Sequence, residues 1–133
     1  MLSVRGYISS RPFMDERVPQ HIQNIVIREY CNRNKLNYML SVAEYAMDNC
    51  FLMLNHAIEN LQENAVVAYS LFQMPVEDVE RKKIFSRVLE LGKSMYFSVE
   101  GMQLTNKQEL ERLENIWMTK KTLVFCPKNF NKK

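Results

Sequence analysis

Polar side chains that could do chemistry stand at the ends of four apolar stretches of the sequence. The candidates are Ser9, Ser10 and Arg11 after the first stretch, Glu44 and Tyr45 after the second, Ser70 and Gln73 after the third, and Glu100 after the fourth. A carboxylate beside hydroxyls can bind sugar hydroxyls or move a proton without a metal. We therefore predict Ser10, Glu44 and Tyr45 as catalytic residues and the others as ligand-binding residues.

Basic and amide side chains follow the first stretch. Arg11 and Arg17 are the nearest candidates to hold a phosphate or carboxylate, because the planar guanidinium fork suits such oxyanions. Gln20 and His21 open the next helical segment and are predicted as ligand-binding residues, and His21 is also a candidate acid or base. For each residue the alternative is a plain structural role, since strand ends border solvated loops and Ser10 can simply cap a helix.

Glycine and cysteine spacing exclude several classes of site. No glycine lies between Gly6 and Gly92, so neither a G-x-G-x-x-G turn nor a Walker phosphate loop is present. The three cysteines lack Cys-x-x-Cys spacing, which predicts buried thiols and no structural metal. We predict no cofactor and no metal ligand, and a structural role for His56 inside a helix.

The elements that must position these residues alternate between strand and helix. Strands are predicted over 3–9, 36–44, 65–72 and 94–100, and helices over 19–34, from Asp48 or Asn49 onward, over 76–91, and from a Thr105–Gln108 capping box onward. Glu77, Glu80, Arg81, Lys82 and Lys83 of the third helix are predicted to face solvent. Residues 121–126 are predicted as an edge strand or an extended strap.

This alternation predicts an α/β fold, a single three-layer domain with a mainly parallel four- or five-stranded sheet of resolvase-like or flavodoxin-like type. The carboxyl ends of parallel strands meet at one edge, so the candidate residues should gather there. The domain is expected over 1–126, followed by a basic flexible tail over 127–133. Trp117 of the last helix either packs into the core or pairs across a two-fold axis in a homodimer.

Charge and hydropathy limit the classes of partner that this protein is expected to have. The net charge is +3, and three of the 18 basic residues lie at 128, 132 and 133, so residues 1–126 balance 15 basic with 15 acidic residues. A neutral domain argues against a broad nucleic-acid-binding face and favours a compact anionic ligand. No apolar run reaches membrane-spanning length, and Arg5 interrupts any signal peptide, which predicts a cytoplasmic protein with no membrane partner.

The first part of the chain resembles the catalytic domain of serine recombinases. The matching features are Tyr-x-Ser-Ser-Arg at 7–11 and Pro-Gln-His-Ile-Gln at 19–23, within a likeness that extends over about residues 4–102. The family's arginine position holds Ser9 and its nucleophile position holds Arg11. Where the family has Asp-Arg-x-x-Arg, residues 70–75 read Ser-Leu-Phe-Gln-Met-Pro. The likeness therefore implies the fold, and these departures argue against DNA strand exchange through Ser9 or Ser10.

Longer strings resemble a small bacterial family named for its sporadic occurrence in carbohydrate gene clusters. They are Gly-Tyr-Ile-x-Ser-Arg-Pro at 6–12, Arg-Val-Pro-Gln-His-x-Gln-Asn at 17–24, Glu-Tyr-Ala-Met at 44–47 and Val-Ala-Tyr-Ser-Leu-Phe-Gln at 67–73. The resemblance implies a role in surface polysaccharide or lipopolysaccharide biosynthesis. We expect a sugar-modifying or sugar-binding protein that takes an anionic sugar or nucleotide sugar. An enzyme would be a metal-independent isomerase, epimerase or lyase. The alternative is a non-catalytic partner or regulator of a glycan-biosynthesis enzyme.

Overall fold

The computed structural model describes residues 2–10, 12–13, 17–44 and 51–125, with the backbone alone for 121–125. These residues form five strands and four helices, which alternate as far as the fourth strand; a short 3-10 turn follows the third strand, and the fifth strand follows the fourth directly. In chain order they are β1 (Ser3–Ser9), α1 (Gln20–Arg33), β2 (Asn37–Glu44), α2 (Leu52–Asn60), β3 (Ala65–Ala68), the 3-10 turn (Leu71–Gln73), α3 (Asp78–Glu90), β4 (Ser94–Phe97), β5 (Met102–Leu104) and α4 (Lys107–Phe125). The predicted tail over 127–133 and the predicted helix start at Asp48 or Asn49 lie outside the described residues.

The strands form one sheet in the order β2-β1-β3-β4-β5. β1 to β4 are parallel, and β5 pairs antiparallel with β4. This is the flavodoxin-like strand order with the last strand reversed. The connection order reverses between β1 and β3, so the crevice beyond their carboxyl ends is the expected ligand position in such a sheet.

Helices cover both faces of the sheet, which gives the three predicted layers. Among the helices of the described residues, α1 is the one that covers one face, through Ile27, Tyr30 and Cys31. α2, α3 and α4 share the other face, in a core that includes Trp117. All four residues of β3 are buried because the strand is covered on both faces. Trp117 is 1% exposed and therefore packs into the core of its own chain.

Within the described residues, none of the helices combines the length and the apolar composition that a membrane span requires.

The fifth strand lies elsewhere than predicted. Residues 121–125 continue α4, so the prediction of an edge strand or strap there is wrong. The helical path of α4 overrides the β propensity of Thr-Leu-Val-Phe. The real fifth strand is β5, which forms because the chain reverses after β4 through a turn in which Gly101 has a φ of +65°.

β3 ends at Ala68 and β4 at Phe97, both earlier than predicted, and the cap of α4 differs from the predicted one. The 3-10 turn follows β3 because the Ser70 hydroxyl caps it and Gln73 completes a capping box. At the start of α4, the cap is Asn106, whose Oδ1 accepts the Glu109 N–H at 3.0 Å. The Glu109 carboxylate reaches back to the Thr105 N–H at 2.9 Å, so Glu109 and not Gln108 closes this cap.

Arg81 corrects the prediction of a solvent-facing charge run on α3. Its side chain is fully buried and lies over the Trp117 ring, with the guanidinium carbon 4.4 Å from the ring centre. It donates to the carboxylates of Glu114 and Asp78 and to the carbonyl of Pro75. Burial alone lowers the pKa of Arg81, but its hydrogen bonds to these carboxylates raise it on balance. A buried cation is tolerated here because its donors are partnered.

Gly6 permits a close approach between β1 and β2. A Cβ at this position would lie 2.1 Å from Ser41 Oγ and 3.1 Å from Tyr38 Cε1. The Ser41 hydroxyl donates to Asn24 Oδ1 of α1 at 2.7 Å and also contacts the Tyr38 hydroxyl at 2.7 Å. The register between the strands shifts at this point, which leaves Leu40 71% exposed on the edge strand.

Candidate functional site

Glu44 ends β2 at the carboxyl edge, and its side chain is almost completely buried. One oxygen accepts a hydrogen bond from the Tyr7 hydroxyl at 2.9 Å, and the other accepts the N–H of Met53 at 2.9 Å. The N–H of Leu54 also points to this carboxylate, at 3.3 Å. A carboxylate at the start of a helix is stabilised by the otherwise unpaired N–H groups and by the helix dipole. Glu44 therefore joins the start of α2 to the edge strand β2 and, through Tyr7, to the inner strand β1.

Glu100 caps the start of the 3-10 turn, as Glu44 caps the start of α2. It follows β4, and its two oxygens accept hydrogen bonds from the Ser70 hydroxyl at 2.7 Å and the Leu71 N–H at 2.8 Å. Ser70 is itself buried and accepts the N–H of Phe72. The structure thus brings the predicted pair Ser70 and Glu100 together, as a cap between two strand ends.

A buried glutamine pair joins β1 to the loop after β3. Gln23 of α1 accepts the Ser9 N–H at 3.1 Å and donates to the Ser9 carbonyl at 2.7 Å, much as a neighbouring strand would. Gln73 donates to Gln23 at 2.9 Å and to the Ser9 hydroxyl at 3.1 Å, and it accepts the Ser70 N–H. Three predicted ligand-binding residues, Ser9, Ser70 and Gln73, are thereby buried in a hydrogen-bonded network.

Ser10 and Arg17 are the predicted site residues that solvent reaches beside the end of β1. The Ser10 N–H and hydroxyl both point to the Glu44 carbonyl, at 3.2 and 3.4 Å. A carbonyl accepts this hydrogen bond but cannot take up the proton. Arg17 is exposed and donates from Nη1 to the Ser10 carbonyl at 3.1 Å. Within the described part of the chain its guanidinium makes no ion pair.

The start of α1, at Gln20, lies three residues after Arg17. Gln20 is partly exposed and His21 is exposed in its first turn. This turn contains no acidic residue, and Pro19 provides no side-chain cap. The predicted residues Arg11 and Tyr45 lie outside the described residues.

Two aromatic side chains lie at this edge, and neither of them was predicted as a site residue. Phe13, from the segment between β1 and α1, meets Tyr69, the residue directly after β3, in an edge-on contact with ring centres 6.0 Å apart. Both are only partly buried. The position of Tyr69 at a strand end beside the crossover reversal was a usable signal, whereas nothing local marked Phe13.

His56 and Cys31 are two further side chains of the described residues that could do chemistry. His56 is exposed on α2 and pairs with Asn60 at 3.1 Å. Cys31 is buried, and burial raises the pKa of its thiol to about 11. Among the described residues, no three His, Cys, Asp or Glu side chains are grouped as a metal site.

Comparison with known protein families, with curated proteins and with solved structures found no match.

Proposed function

We propose that this protein binds an anionic sugar, as a phosphate or a nucleotide sugar, in the cytoplasmic steps of surface polysaccharide or lipopolysaccharide biosynthesis. The observation that carries the proposal is the exposed Arg17 guanidinium, which hydrogen-bonds the Ser10 carbonyl beside the end of β1. Because it makes no ion pair within the described residues, its remaining N–H groups suit a phosphate or carboxylate. The part of the proposal that makes the ligand a sugar rests on the resemblance of the sequence to proteins of carbohydrate gene clusters.

The starts of the helical segments at this edge support the same position. Carboxylates of Glu44 and Glu100 cap α2 and the 3-10 turn. α1 has no acidic residue in its first turn and no side-chain cap, and Arg17 lies three residues before it. An anion near this helix start would therefore meet favourable charge from both the arginine and the helix dipole.

The aromatic pair favours a ligand with an apolar face. Phe13 and Tyr69 are partly exposed at the crevice between β1 and β3. Binding sites for small molecules combine such aromatic surfaces with a few polar groups that fix orientation. A sugar ring presents C–H groups on one face, and a nucleotide base presents a flat surface that stacks on aromatic rings.

The hydrogen bonds at the carboxyl edge of the sheet fit a protein that binds its ligand better than an enzyme that converts it. Glu44 and Glu100 both accept hydrogen bonds from the protein itself, and the Ser10 hydroxyl points to a carbonyl. An isomerase, epimerase or lyase that used Glu44 with Ser10 and Tyr45 would have to release α2 from this carboxylate first. The engaged carboxylates equally favour the second candidate, a non-catalytic partner or regulator of a glycan-biosynthesis enzyme.

A thermal-shift screen with sugar phosphates and nucleotide sugars tests the ligand proposal. A ligand at a hundredfold excess over its dissociation constant should stabilise the protein by about 2.7 kcal/mol. Arg17→Gln should weaken binding about tenfold or more, because a charge-assisted hydrogen bond contributes about 1.5–3 kcal/mol.

Arg112→Gln is the matched control, since Arg112 is an exposed arginine of α4, on the other face of the sheet. The proposal fails if no compound of either class shifts the transition. It also fails if Arg17→Gln and Arg112→Gln respond alike to the compound that does.

A further inference from the structure

A long groove runs between α2 and α3, on the face of the sheet opposite α1. Its volume is about 1020 Å³. Phe51, Leu52, Pro75 and Ile84 give it an apolar lining. Since both walls are helices, the groove has the form into which proteins dock an amphipathic helix.

The accessible part of the apolar lining is Leu52 with Phe51, since Pro75 and Ile84 are buried. Leu52, the first residue of α2, is 72% exposed, and Phe51 before it is only partly buried. Exposed aliphatic side chains outside the lining, at the start of α3, add to this apolar surface. Val76 and Val79, at the start of α3, are 53% and 75% exposed. Exposed aliphatic side chains grouped at the ends of two adjacent helices, rimmed by charged residues, are typical of interaction surfaces.

The charged lining of the groove is net negative, although the whole chain carries +3. Glu59, Glu77, Glu80 and Glu90 face it together with Lys83 and Arg87. Four carboxylates against two cations leave an excess of two negative charges.

The charged side chains at the two ends of the groove differ in the ion pairs that they form. Arg87 is already bound to Glu59 at 2.5 Å and to Glu90 at 3.2 Å. Glu77 and Glu80 make no ion pair within the described residues. The end with the exposed aliphatic residues therefore also holds carboxylates that are available to a partner.

We propose that the α2–α3 groove binds a basic amphipathic helix of a partner protein. The apolar face of that helix would contact Leu52 and Phe51, and its lysines or arginines would pair with Glu77 and Glu80. Opposite charge gives such an encounter its specificity and speed, and the buried apolar residues give it affinity. This interaction does not use Arg17 or the edge beyond β1, so it stands independently of the proposed ligand site.

Titration of the full chain with labelled peptides tests the proposal. The probe is a lysine-rich peptide with leucines at helical spacing, compared with a glutamate-rich peptide of the same leucine pattern and with a scrambled lysine-rich peptide. The lysine-rich amphipathic peptide should bind saturably and shift the amide resonances of α2 and α3. Equal binding by the glutamate-rich or the scrambled peptide, or no saturable binding, would overturn the proposal.

Exposed substitutions locate the binding surface without disturbing the core. Leu52→Ser should weaken the lysine-rich peptide about tenfold, as expected when a central apolar contact is lost. Glu77→Gln with Glu80→Gln should weaken it severalfold and make its binding less sensitive to salt. Arg17→Gln should bind it like the wild type, which separates a failure of this proposal from a failure of the ligand proposal.

Matched controls remove the same chemistry elsewhere. Ile25→Ser removes an aliphatic residue that is 59% exposed on α1. Glu29→Gln with Glu111→Gln removes two exposed carboxylates from α1 and α4. If these controls weaken binding as much as the groove variants do, the groove is not the docking site. If the α2 and α3 resonances shift with protein concentration alone, a second copy of this chain fills the groove and the proposal is overturned.

Discussion

The Tyr7 hydroxyl, on the inner strand β1, donates a 2.9 Å hydrogen bond to the buried carboxylate of Glu44 at the end of β2. The same carboxylate accepts the N–H of Met53 in the first turn of α2. One side chain thus connects two strands and a helix. A residue that looks catalytic by position is held as a helix cap.

Glu44→Ala should destabilise the fold by about 3 kcal/mol, because it removes the buried carboxylate that accepts hydrogen bonds from the Tyr7 hydroxyl and from the N–H groups of α2. Urea unfolding measures the loss, and Glu111→Ala, at an exposed position of α4, should change stability by less than about 0.5 kcal/mol. Unchanged stability of Glu44→Ala, with loss of ligand binding, would instead identify Glu44 as a site residue.

Gln23→Leu should cost about 2 kcal/mol, because Ser9 and Gln73 lose their buried partner while the volume stays similar. Thermal unfolding checks this, with Gln108→Leu at an exposed position of α4 as the control. If the two variants melt together, the glutamine network contributes nothing to stability.

Gly6→Ala should destabilise by about 1–3 kcal/mol, since the added methyl group would overlap Ser41. Ser41→Gly in the same chain should recover part of the loss. A double-mutant cycle by denaturant unfolding should give a coupling of about 1 kcal/mol or more between the two positions. Simple additivity would show that the close approach of β1 and β2 is not limiting.

The pair of Arg5 and Glu63 should make stability depend on pH. Burial raises the pKa of the Glu63 carboxyl, but hydrogen bonds from Arg5 and from the backbone, together with the charges of Arg5 and Lys93, hold it below its ordinary value. A lowered folded-state pKa adds stability above the unfolded-state pKa and loses it as pH falls through the folded-state pKa.

Wild type should therefore exceed Glu63→Gln in stability by about 1–2 kcal/mol at neutral pH, and the difference should begin to fall near the unfolded-state pKa of about 4.3 and shrink further as pH drops through the lower folded-state pKa. Unfolding curves from pH 7 to pH 3 measure this. A difference that stays constant over this range would show that the ion pair contributes nothing through its charge.

Local patterns predicted most of the framework. β1 lies where predicted, and α1, α3 and β2 differ from prediction by two residues or fewer at each end. Apolar periodicity within one element decides these segments, and it is visible without any partner. Gly92, two residues after the end of α3, has a φ of +71°, the left-handed conformation that commonly closes a helix.

Errors occurred where a distant partner decides the outcome. Arg81 reads as a surface residue in a charged run, yet its partner Glu114 lies 33 residues away on α4. Residues 121–125 have strand-forming side chains but extend α4. For Arg81 a tertiary partner overrode the local preference, and for residues 121–125 the continuation of α4 did.

By itself, the sequence determined a mainly parallel sheet with helices on both faces and a polar carboxyl edge, because alternating strand and helix periodicities restrict the topology. Only the tertiary structure decided which polar residues at that edge remain accessible to a ligand. Gln73 bonds to Ser9 across 64 residues, and Glu44 to Tyr7 across 37. Hydrogen-bond partners so far apart are set by the way the strands and helices pack, which spacing along the chain does not specify.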